Sequence, residues 1–284
     1  MGDIEVIVVV DGGDPATVAA LERIDDRRLR VLVLPQALGA GRARDTGADA
    51  ATGDWIAFLD DDDEWLPEKL ERQLAAAPPG GKAVLSTLYR VVSSQGERIC
   101  PALPYRGDQP IDEWLFGRQT WLRGHEAMIQ TSALMVPRAM FQSLRFRDTR
   151  QHEEWELCLR AVKDLGHAFV TVREPLVIYH APAPDAQTLS KSYRMELSMA
   201  WADHVGPLLT RRAYSGFALT VASQVPSSGA RLPALGRLFT AAFAKGRPTA
   251  KQLFAFGLIV LLPHDLRRRI RARLARPPGS PGAA

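Results

Sequence analysis

Cysteine is scarce in this sequence, and long apolar runs are absent. The 284 residues include 2 cysteines, Cys100 and Cys158, so a disulfide framework of the kind found in small secreted domains is excluded. We expect both to be buried thiols in a protein of a reducing, cytoplasmic compartment. The most apolar segment, residues 253–263, is shorter than the roughly 18–20 residues that a membrane-spanning helix needs. The sequence therefore predicts a globular protein without a standard transmembrane helix.

Acidic residues are nearly missing from the last third of the chain. Residues 191–284 contain 15 Lys and Arg but 3 Asp and Glu, whereas residues 1–190 contain 21 and 29. The net charge of +4 thus conceals an acidic part and a basic part. Acidic regions often bind cations, and basic regions often meet anionic surfaces. We therefore expect the two parts to have different functions.

Apolar strands alternate with helical segments in the acidic part. Residues 4–10 are a nearly continuous β-branched run, typical of a strand buried on both faces of a parallel sheet. Further strands are predicted at residues 30–34 and 54–59, each followed by a helix. This alternation predicts an α/β fold with a mostly parallel, open, Rossmann-like sheet. Ligands bind such sheets at the carboxyl ends of the strands, where Asp11 and residues 60–63 lie.

The middle of the chain is less regular, and a helical pattern replaces the strands after about residue 180. The elements predicted before that change are a strand at 83–92, a loop at 96–109, a strand at 132–136, an amphipathic helix at 153–164 and strands at 168–172 and 176–180.

Four aspartates and a glutamate follow the third predicted strand, at residues 60–64. Such crowded carboxylates repel one another unless a cation or water relieves the charge. A solvated turn would also account for the run, but its place at the carboxyl edge of the sheet favours a functional role. Oxygen ligands of this kind suit Mg²⁺ or Mn²⁺, which often take water and substrate phosphates as further ligands. The predicted substrate is therefore a nucleoside diphosphate derivative.

Several segments together resemble glycosyltransferase family 2, whose members have the GT-A fold. The resemblance covers roughly residues 4–180. Each motif alone is weak, whereas the four in this order and spacing are specific. The motifs are VVVDGG at 8–13, GAGRARDTG at 39–47, AATGDWIAFLDDDD at 50–63 and QHEEWELCLR at 151–160.

The resemblance implies roles for individual acidic residues. Asp11 matches the residue that hydrogen-bonds the nucleotide base, and Asp62 matches the principal metal ligand. Asp60 and Asp61 would lie near the ribose or the metal, with Asp60 as a second metal ligand. By the same resemblance, Mn²⁺ or Mg²⁺ bridges both donor phosphates and stabilises the leaving diphosphate.

Two further pairs of charged residues complete the predicted site. Arg42 and Arg44 would assist nucleotide binding, although surface charge on a helix explains them equally well. Glu153 and Glu154 begin a predicted helix, where acidic side chains also complement the helix dipole. Their segment resembles the EDWDLWLR-type motif of the family, in which the second acid is the general base. That implies Glu154 as the base and Glu153 as its alternate, with Glu in place of the usual Asp, in a displacement that inverts the anomeric carbon.

The strand and helix with which family members usually begin have no counterpart before Ile4. In a doubly wound sheet that first strand is central, between the strands that end here at Asp11 and Asp60. We therefore expect an N-terminally incomplete catalytic domain, with a gap or an unusual pairing between strands 4–10 and 54–59. A truncated chain or a misassigned start is the preferred explanation, and an inactive scaffold is the functional alternative.

The basic part combines an apolar stretch with an arginine-rich one. Six arginines lie within residues 267–276, shortly after the apolar residues 253–262. An apolar helix with a basic flank is typical of proteins that bind an anionic membrane face. Packing against the catalytic domain is the structural alternative. Nucleic acid is not an expected partner, because the run lacks interleaved aromatic residues and any recognisable binding module.

We predict three segments, namely a GT-A catalytic domain at 1–185, a helical basic region at 186–276 and a disordered tail at 277–284. The predicted activity is the metal-dependent, inverting transfer of a sugar from a UDP-, GDP- or dTDP-sugar to a glycan or lipid-linked acceptor, in polysaccharide biosynthesis. The protein would be cytoplasmic or peripheral at the inner face of the membrane. A nucleotidyltransferase would share the aspartate-rich metal chemistry, but the segment around Glu153 and Glu154 argues against it.

Overall fold

A computed structural model describes most of the chain. The described residues are 3–94, 96–124, 126–147, 151–181, 195–223, 231–262 and 266. The predicted tail at 277–284 and the arginine-rich run at 267–276 lie outside the described residues.

Short strands and helices alternate in the first half of the chain, and helices fill the described parts of the last third. In chain order the elements are β1 (Val6–Val10), α1 (Pro15–Leu21), β2 (Leu29–Val33), α2 (Ala40–Ala50), β3 (Trp55–Ala57), β4 (Asp63–Trp65), α3 (Lys69–Ala75), β5 (Ala83–Ser93), β6 (Gly96–Cys100), α4 (Ile111–Phe116), β7 (Met135–Pro137), α5 (Arg138–Leu144), α6 (Glu153–Lys163), β8 (Ala168–His180), α7 (Met195–His204), α8 (Arg211–Gly216), α9 (Arg231–Ala244) and α10 (Ala250–Leu261).

Contacts divide the chain into two compact units. The first unit combines Met1–Ile99 with Ile129–Pro184, and the second combines Cys100–Met128 with Asp185–Ala284. The sequence-based division placed residues 1–185 in one domain, whereas the segment that contains α4 groups with the C-terminal helices. Its buried residues explain this, because α4 buries Trp114 and Phe116 among apolar neighbours of the second unit.

The first unit is built on a mixed sheet in the order β3–β7–β5–β8–β4, with β6 paired to β5. Strands β5 and β8 run parallel along most of their length, while the pairs β3–β7, β5–β7 and β4–β8 are antiparallel. The predicted α/β class is confirmed, but the sheet is not mostly parallel. The antiparallel pairs involve the three-residue strands β3, β4 and β7, and no hydrophobic pattern in the sequence indicates the direction in which such a short strand runs.

The first strand does not join the third. Strand β1 pairs in parallel with β2, from Val6 opposite Leu29 to Val10 opposite Val33, in a separate two-stranded sheet. Within the described residues β1 has no pairing with β3, so the expected gap is confirmed. A side chain partly bridges it, since the Glu5 carboxylate accepts hydrogen bonds from the backbone N–H groups of Thr52 and Gly53 at 2.6 and 2.9 Å.

The structure differs from the prediction at three places in the middle of the chain. Residues 96–100, predicted as part of a loop, form β6. The two strands predicted at 168–172 and 176–180 are one strand, β8, whose register against β5 shifts around Pro175. Proline has no N–H to donate, so it fits a strand at such an irregularity. The strand predicted at 132–136 begins instead as a 3₁₀ turn, Thr131–Ala133, which leads into β7.

The core of the first unit lies between the middle of the sheet and the flanking helices. Ala83, Leu85 and Met135 are almost fully buried on β5 and β7, and Trp55 and Leu70 pack against them. Both cysteines are buried free thiols, as predicted. This packing holds the carboxyl end of β3 and the start of β7 next to each other, which matters for the acidic residues below.

The second unit is helical in its described parts. Rings of Phe116, Trp201 and Phe217 pack with centroids 5.1 to 6.1 Å apart. Helices α4 and α8 approach closely at Gly216, where a Cβ atom would lie 1.9 Å from the carbonyl oxygen of Phe116, so a larger residue is excluded. None of the helices in the described part of the chain has both the length and the apolar character needed to cross a membrane.

Candidate active site

The aspartates after β3 are held by the 3₁₀ turn that precedes β7. The backbone N–H of Asp60 donates to Oγ of Ser132 at 3.0 Å, and the same hydroxyl donates to Oδ2 of Asp63 at 2.6 Å. The amide of Gln130 donates to this oxygen at 2.5 Å, and the Trp65 indole donates to the Ser132 carbonyl at 2.8 Å. Ser132 is fully buried. One buried hydroxyl therefore fixes both ends of the run 60–63.

Asp63 is a buried carboxyl group that sequence reasoning did not assign. Burial raises its pKa, the nearby charges of Asp62 and Asp60 raise it further, and the hydrogen bonds from Ser132 and Gln130 counteract the increase. Its second oxygen, Oδ1, is buried without a hydrogen-bond partner among the described residues. A buried oxygen left without a donor is costly, so this part of the loop favours a cation nearby.

The other aspartates of the run can reach solvent. Asp61 and Asp62 are exposed, and Asp60 is partly buried. In the described part of the chain, no group of three or more His, Cys, Asp or Glu side chains could enclose a metal ion. A cation at this loop would therefore take one or two carboxylates from the protein and its other ligands from phosphates and water, as Mg²⁺ usually does. The residues present fit that mode of binding.

Arg44 joins the aspartate run to the glutamates of α6. It lies on α2, one turn beyond the start of that helix, and its guanidinium contacts Asp60 at 2.5 Å and Glu153 at 3.6 Å. All three side chains are less than a third exposed. Gly41 permits this packing, because even a Cβ atom there would lie 3.0 Å from Oε2 of Glu153. Residues from three of the four motifs, at 39–47, 50–63 and 151–160, therefore meet at the guanidinium group of Arg44.

Glu154, beside Glu153 in the first turn of α6, has a strongly shifted acidity. Desolvation raises the pKa of this carboxyl to about 7. The positive charge of Arg44 opposes the increase, whereas the negative charges of Glu153 and Asp60 add to it. A carboxylate with a pKa near neutrality can accept a proton from a hydroxyl much better than an exposed glutamate can. The position therefore combines a desolvated base with a neighbouring cluster of charges.

The residue before α6 has an unusual backbone conformation. His152 is left-handed, with φ of 66°, which few residues other than glycine adopt. Its ring stacks on Trp155 at 4.6 Å, and the Trp155 indole donates to the Ile129 carbonyl at 3.2 Å. Desolvation lowers the pKa of His152 to about 4, so the ring is neutral at pH 7. These contacts fix how the chain enters α6 and thereby orient Glu153 and Glu154.

Asp11 and Arg42 lie at the N-terminal end of α2, the helix that also carries Arg44. The Asp11 carboxylate accepts hydrogen bonds from the backbone N–H groups of Leu38 and Gly39 at 2.7 and 2.8 Å. Asp11 thus ties the end of β1 to the residue that caps α2. Arg42 is exposed, and its charge acts on the buried Asp45. Arg44 therefore contacts Asp60 and Glu153, while Arg42 lies on the same helix and Asp11 binds the backbone at its N-terminal end.

Sequence reasoning missed two further polar positions at this edge of the sheet. Ser132 was predicted as the first residue of the strand 132–136, and Gln130 fell in the irregular segment before it, so neither was assigned a role. His180, at the end of β8, contacts Glu64 at 2.7 Å. On the neighbouring residue, Tyr179, burial raises the phenol pKa and the charges of the aspartate run raise it further. The end of β8 therefore faces the same acidic loop.

Comparison with known sequences agrees with this geometry. Residues 1–143 match the domain described as glycosyl transferase family 2. The chain is 30% identical over 219 residues to the amylovoran biosynthesis glycosyltransferase AmsB of Erwinia amylovora, covering 73% of this chain and 70% of AmsB. It is 31% identical over 100 residues to the UDP-Glc:alpha-D-GlcNAc-diphosphoundecaprenol beta-1,3-glucosyltransferase WfgD of Escherichia coli, covering 34% of this chain and 40% of WfgD.

A solved structure has a similar fold. S. aureus TarS 1-349, in complex with UDP-GlcNAc, superposes with a TM-score of 0.58 at 17% sequence identity. The match covers 95% of this chain and 82% of that one. At this identity the likeness concerns the fold alone, and it confirms the expected GT-A-like α/β arrangement with helices in the C-terminal region.

Proposed function

This chain belongs to glycosyltransferase family 2, and we propose that it transfers a sugar from a nucleoside diphosphate donor to an acceptor hydroxyl with inversion at the anomeric carbon. The observation that carries this proposal is the placement of Arg44 between Asp60 and Glu153, beside a Glu154 whose pKa is about 7. Carboxylates that could bind a metal cation therefore lie near a carboxylate that could accept a proton.

In the proposed reaction the donor diphosphate lies at the aspartate run, with Asp62 and Asp60 as ligands of Mn²⁺ or Mg²⁺. Such a cation would neutralise charge on the departing diphosphate. Glu154 removes the proton of the acceptor hydroxyl as its oxygen attacks the anomeric carbon. The bond from that carbon to the phosphate oxygen breaks on the opposite face, so one bond forms, one breaks and the configuration inverts.

The remaining predicted residues serve the nucleotide in this proposal. Asp11 lies at the carboxyl end of β1, which is where an α/β sheet binds its ligands. Asp61 is exposed beside the metal ligands and would contact the ribose. Arg42 and Arg44 supply positive charge near the diphosphate, and Arg44 also holds Asp60 in place. The exposed position of Arg42 leaves it available to a ligand.

We infer a UDP-sugar donor and a lipid-linked or glycan acceptor from the relatives. WfgD is named for a UDP-Glc donor and a diphosphoundecaprenol-linked acceptor, TarS was solved with UDP-GlcNAc, and AmsB is named for amylovoran biosynthesis. GDP- and dTDP-sugars are the other donors to test. A lipid-linked acceptor lies at a membrane, and the 15 Lys and Arg against 3 Asp and Glu of residues 191–284 support peripheral binding to its anionic inner face.

The direct test is hydrolysis and transfer with a panel of UDP-, GDP- and dTDP-sugars, with Mn²⁺ and after chelation. We expect release of nucleoside diphosphate that stops with EDTA and in Asp62→Ala. Glu68→Ala, which removes another exposed acid, is the matched control and should leave the rate unchanged. The anomeric proton of the product, followed by NMR, should show inversion.

Other outcomes reject defined parts of the proposal. Full activity after chelation would show that the reaction needs no metal. A product with retained configuration would reject the single-displacement mechanism. A folded chain that releases no nucleotide from any donor would support the inactive scaffold. Release of pyrophosphate from a nucleoside triphosphate would instead indicate a nucleotidyltransferase.

A further inference from the structure

Helix α9 is apolar on the side that it exposes. Leu235, Leu238 and Ala242 are buried on one face of this helix. Three large residues, Leu232, Phe239 and Phe243, are spaced seven and four residues apart and therefore share another face, where they are 69%, 43% and 48% exposed. A surface helix of a globular protein normally exposes polar side chains there.

Helix α10, which contacts α9, also exposes large apolar side chains. The ring of Phe239 stacks on Phe256 of α10 with centroids 5.9 Å apart. Phe254 and Leu261 of that helix are 41% and 78% exposed. We call the set Leu232, Phe239, Phe243, Phe254 and Leu261 the α9–α10 apolar face.

An exposed tryptophan adjoins this surface. Trp121 packs edge-on against Phe254, with ring centroids 5.4 Å apart, and is itself 48% exposed. Trp is favoured where a protein meets the interface of a membrane, because its ring is apolar and its N–H is polar. The apolar area thus ends at the kind of residue that membrane-binding surfaces use at their edge.

Basic residues predominate in this part of the chain. Residues 231–262 contain 5 Lys and Arg and no Asp or Glu, and residues 263–276 add 6 Arg and 1 Asp. Arg237, on α9 itself, is strongly exposed and lies 3.9 Å from the equally exposed Glu196 of α7. An apolar face on a segment with a large excess of basic residues matches the headgroup region of an anionic bilayer, which offers negative charge and apolar depth together. A protein partner would need to supply both negative charge and an apolar area on one complementary surface.

We propose that the α9–α10 apolar face inserts into the headgroup region of an anionic bilayer, with basic side chains of residues 231–262 on the lipid phosphates. The proposal rests on the proposed function, because a lipid-linked acceptor would be presented at the same bilayer. It goes further by assigning the contact to described side chains of the second unit rather than to the arginine run alone. A face of this kind binds by two effects, apolar burial and charge, which respond differently to salt.

The test is flotation of the full chain with vesicles of phosphatidylglycerol and phosphatidylcholine, or of phosphatidylcholine alone, at low and high salt. We expect binding to the anionic vesicles and weaker binding to the neutral ones. Phe239→Ser combined with Phe243→Ser should weaken binding by roughly ten-fold or more, because two partly inserted rings are lost. Leu165→Ser, which removes an equally exposed leucine from the first unit, is the matched control and should bind as the unmodified chain does.

A spectroscopic measurement locates the contact independently of the double variant. Brominated lipids quench tryptophans that enter the acyl region, so part of the emission should be lost on binding to brominated anionic vesicles. Trp121→Phe should remove that quenching while vesicle binding persists. Quenching that is unchanged in Trp121→Phe would place the contact elsewhere and overturn the proposal.

Three results of the flotation assay would also overturn the proposal: no binding at low salt, equal binding to both kinds of vesicle, or undiminished binding of the double variant. A lipid-free dimer that the double variant dissociates would overturn it as well, because the face would then be an interface between copies of the chain. Donor hydrolysis and thermal unfolding of each variant show that it is folded. A chain that hydrolyses donor but ignores vesicles refutes the membrane face alone, and one that binds vesicles without hydrolysis refutes the proposed function alone.

Discussion

Two groups of carboxylates in the first unit have the same chemistry and opposite surroundings. Asp61 and Asp62 extend into solvent, and the run 60–63 is fixed through the backbone of Asp60 and the side chain of Asp63. Glu154, at the start of α6, is desolvated, and its pKa is raised to about 7. The exposed group is open to a cation, whereas the desolvated carboxyl of Glu154 takes up and releases a proton near neutral pH.

The difference shows that the surroundings, and not the residue type, set the function of an acidic side chain. Pairs of carboxyl groups whose environments separate their pKa values typically divide the roles of charge stabiliser and acid–base catalyst. Arg44 contacts Asp60 of the aspartate run and Glu153, the neighbour of Glu154, and so keeps the two groups close. Substitutions at Glu154, Arg44 and Ser132, each with a matched control, test this division, beginning with the one that should have the largest effect.

Glu154→Gln should lower kcat by about 10²–10⁴-fold, because the amide cannot accept the acceptor's proton. In the unmodified enzyme the active form is the deprotonated one, so kcat/KM should rise with pH up to about 7 and level off above it. The measurement is the pH–rate profile of transfer with saturating Mn²⁺.

Glu153→Gln is the matched control for the base, since it removes the neighbouring carboxylate and keeps the length of the side chain. We expect a smaller loss of rate and a profile displaced to lower pH, because the charge of Glu153 raises the pKa of Glu154. The assignment of the base is wrong if Glu153→Gln abolishes transfer and Glu154→Gln does not.

Arg44→Met should cost roughly 10- to 100-fold in kcat/KM, the usual range for losing a hydrogen bond to a charged group. The loss should carry a signature in pH. Since the charge of Arg44 lowers the pKa of Glu154, removing it should move the rising limb of the profile to higher pH.

Arg44→Lys separates charge from geometry in the same experiment. It retains the positive charge and should keep the rising limb near its original pH, while the single ammonium restores only part of the rate. If the rising limb of the pH–rate profile does not move in Arg44→Met, the charge of Arg44 does not influence the pKa of Glu154.

Ser132→Ala should have a smaller effect, on the aspartate run alone. The variant loses the acceptor for the Asp60 N–H and a donor to Asp63, so the metal ligands are held less firmly. We expect about a five-fold increase in the Mn²⁺ concentration for half-maximal activity. The base should be unaffected, so the pH of the rising limb should not move.

Ser143→Ala is a suitable control, because the Ser143 hydroxyl also donates a hydrogen bond, but to the Met140 carbonyl within α5. It should leave the Mn²⁺ dependence unchanged. A Ser132→Ala variant with normal Mn²⁺ dependence and a displaced pH profile would assign the serine to the base rather than to the metal ligands.

The amino-acid sequence was sufficient to identify the carboxylates and insufficient to explain what separates them. The motif at 151–160 pointed to Glu153 and Glu154 by resemblance, and the aspartates stood out as a run. The pKa of Glu154 depends on packing that no local pattern records. The contact of Arg44 with Asp60 joins α2 to the loop after β3, whereas sequence alone predicted Arg44 as a nucleotide contact or as surface charge on a helix.

The fold shows the same limit in its sheet. Strong β-branched runs such as residues 4–10 predicted strands at the right places, because β-branched side chains favour extended backbone. The expected burial of this strand on both faces is wrong, since Val6 is 40% exposed and only Val10 of β1 is buried. Strand direction in β3 and β7 is decided by partners far along the chain, as Trp55 opposite Pro137 shows. Ser132 was missed for the same reason, since its hydroxyl bonds to a residue 72 positions away.

A buried cation offers the mildest test of whether desolvation governs acidity in this unit. Lys69 is fully buried beside the Trp65 ring, where its ammonium lies 4.1 Å from the ring centroid and donates to Gln73 at 2.8 Å. Desolvation lowers its pKa to about 7, the opposite shift from that of Glu154. Below pH 7 the lysine is charged in both the folded and unfolded states, and the cost of burying the charge is fully present.

Between pH 7 and the ordinary lysine pKa the unfolded chain binds the extra proton, so the stability of the unmodified protein rises with pH, by at most about 1.4 kcal/mol per unit. Lys69→Met keeps the apolar stem and lacks the charge. It should therefore be more stable at pH 6, by about 1 kcal/mol after the lost hydrogen bond to Gln73 is counted, and the advantage should shrink or reverse by pH 9. Denaturant unfolding at both values measures this, and an advantage that grows with pH would show that desolvation does not control Lys69.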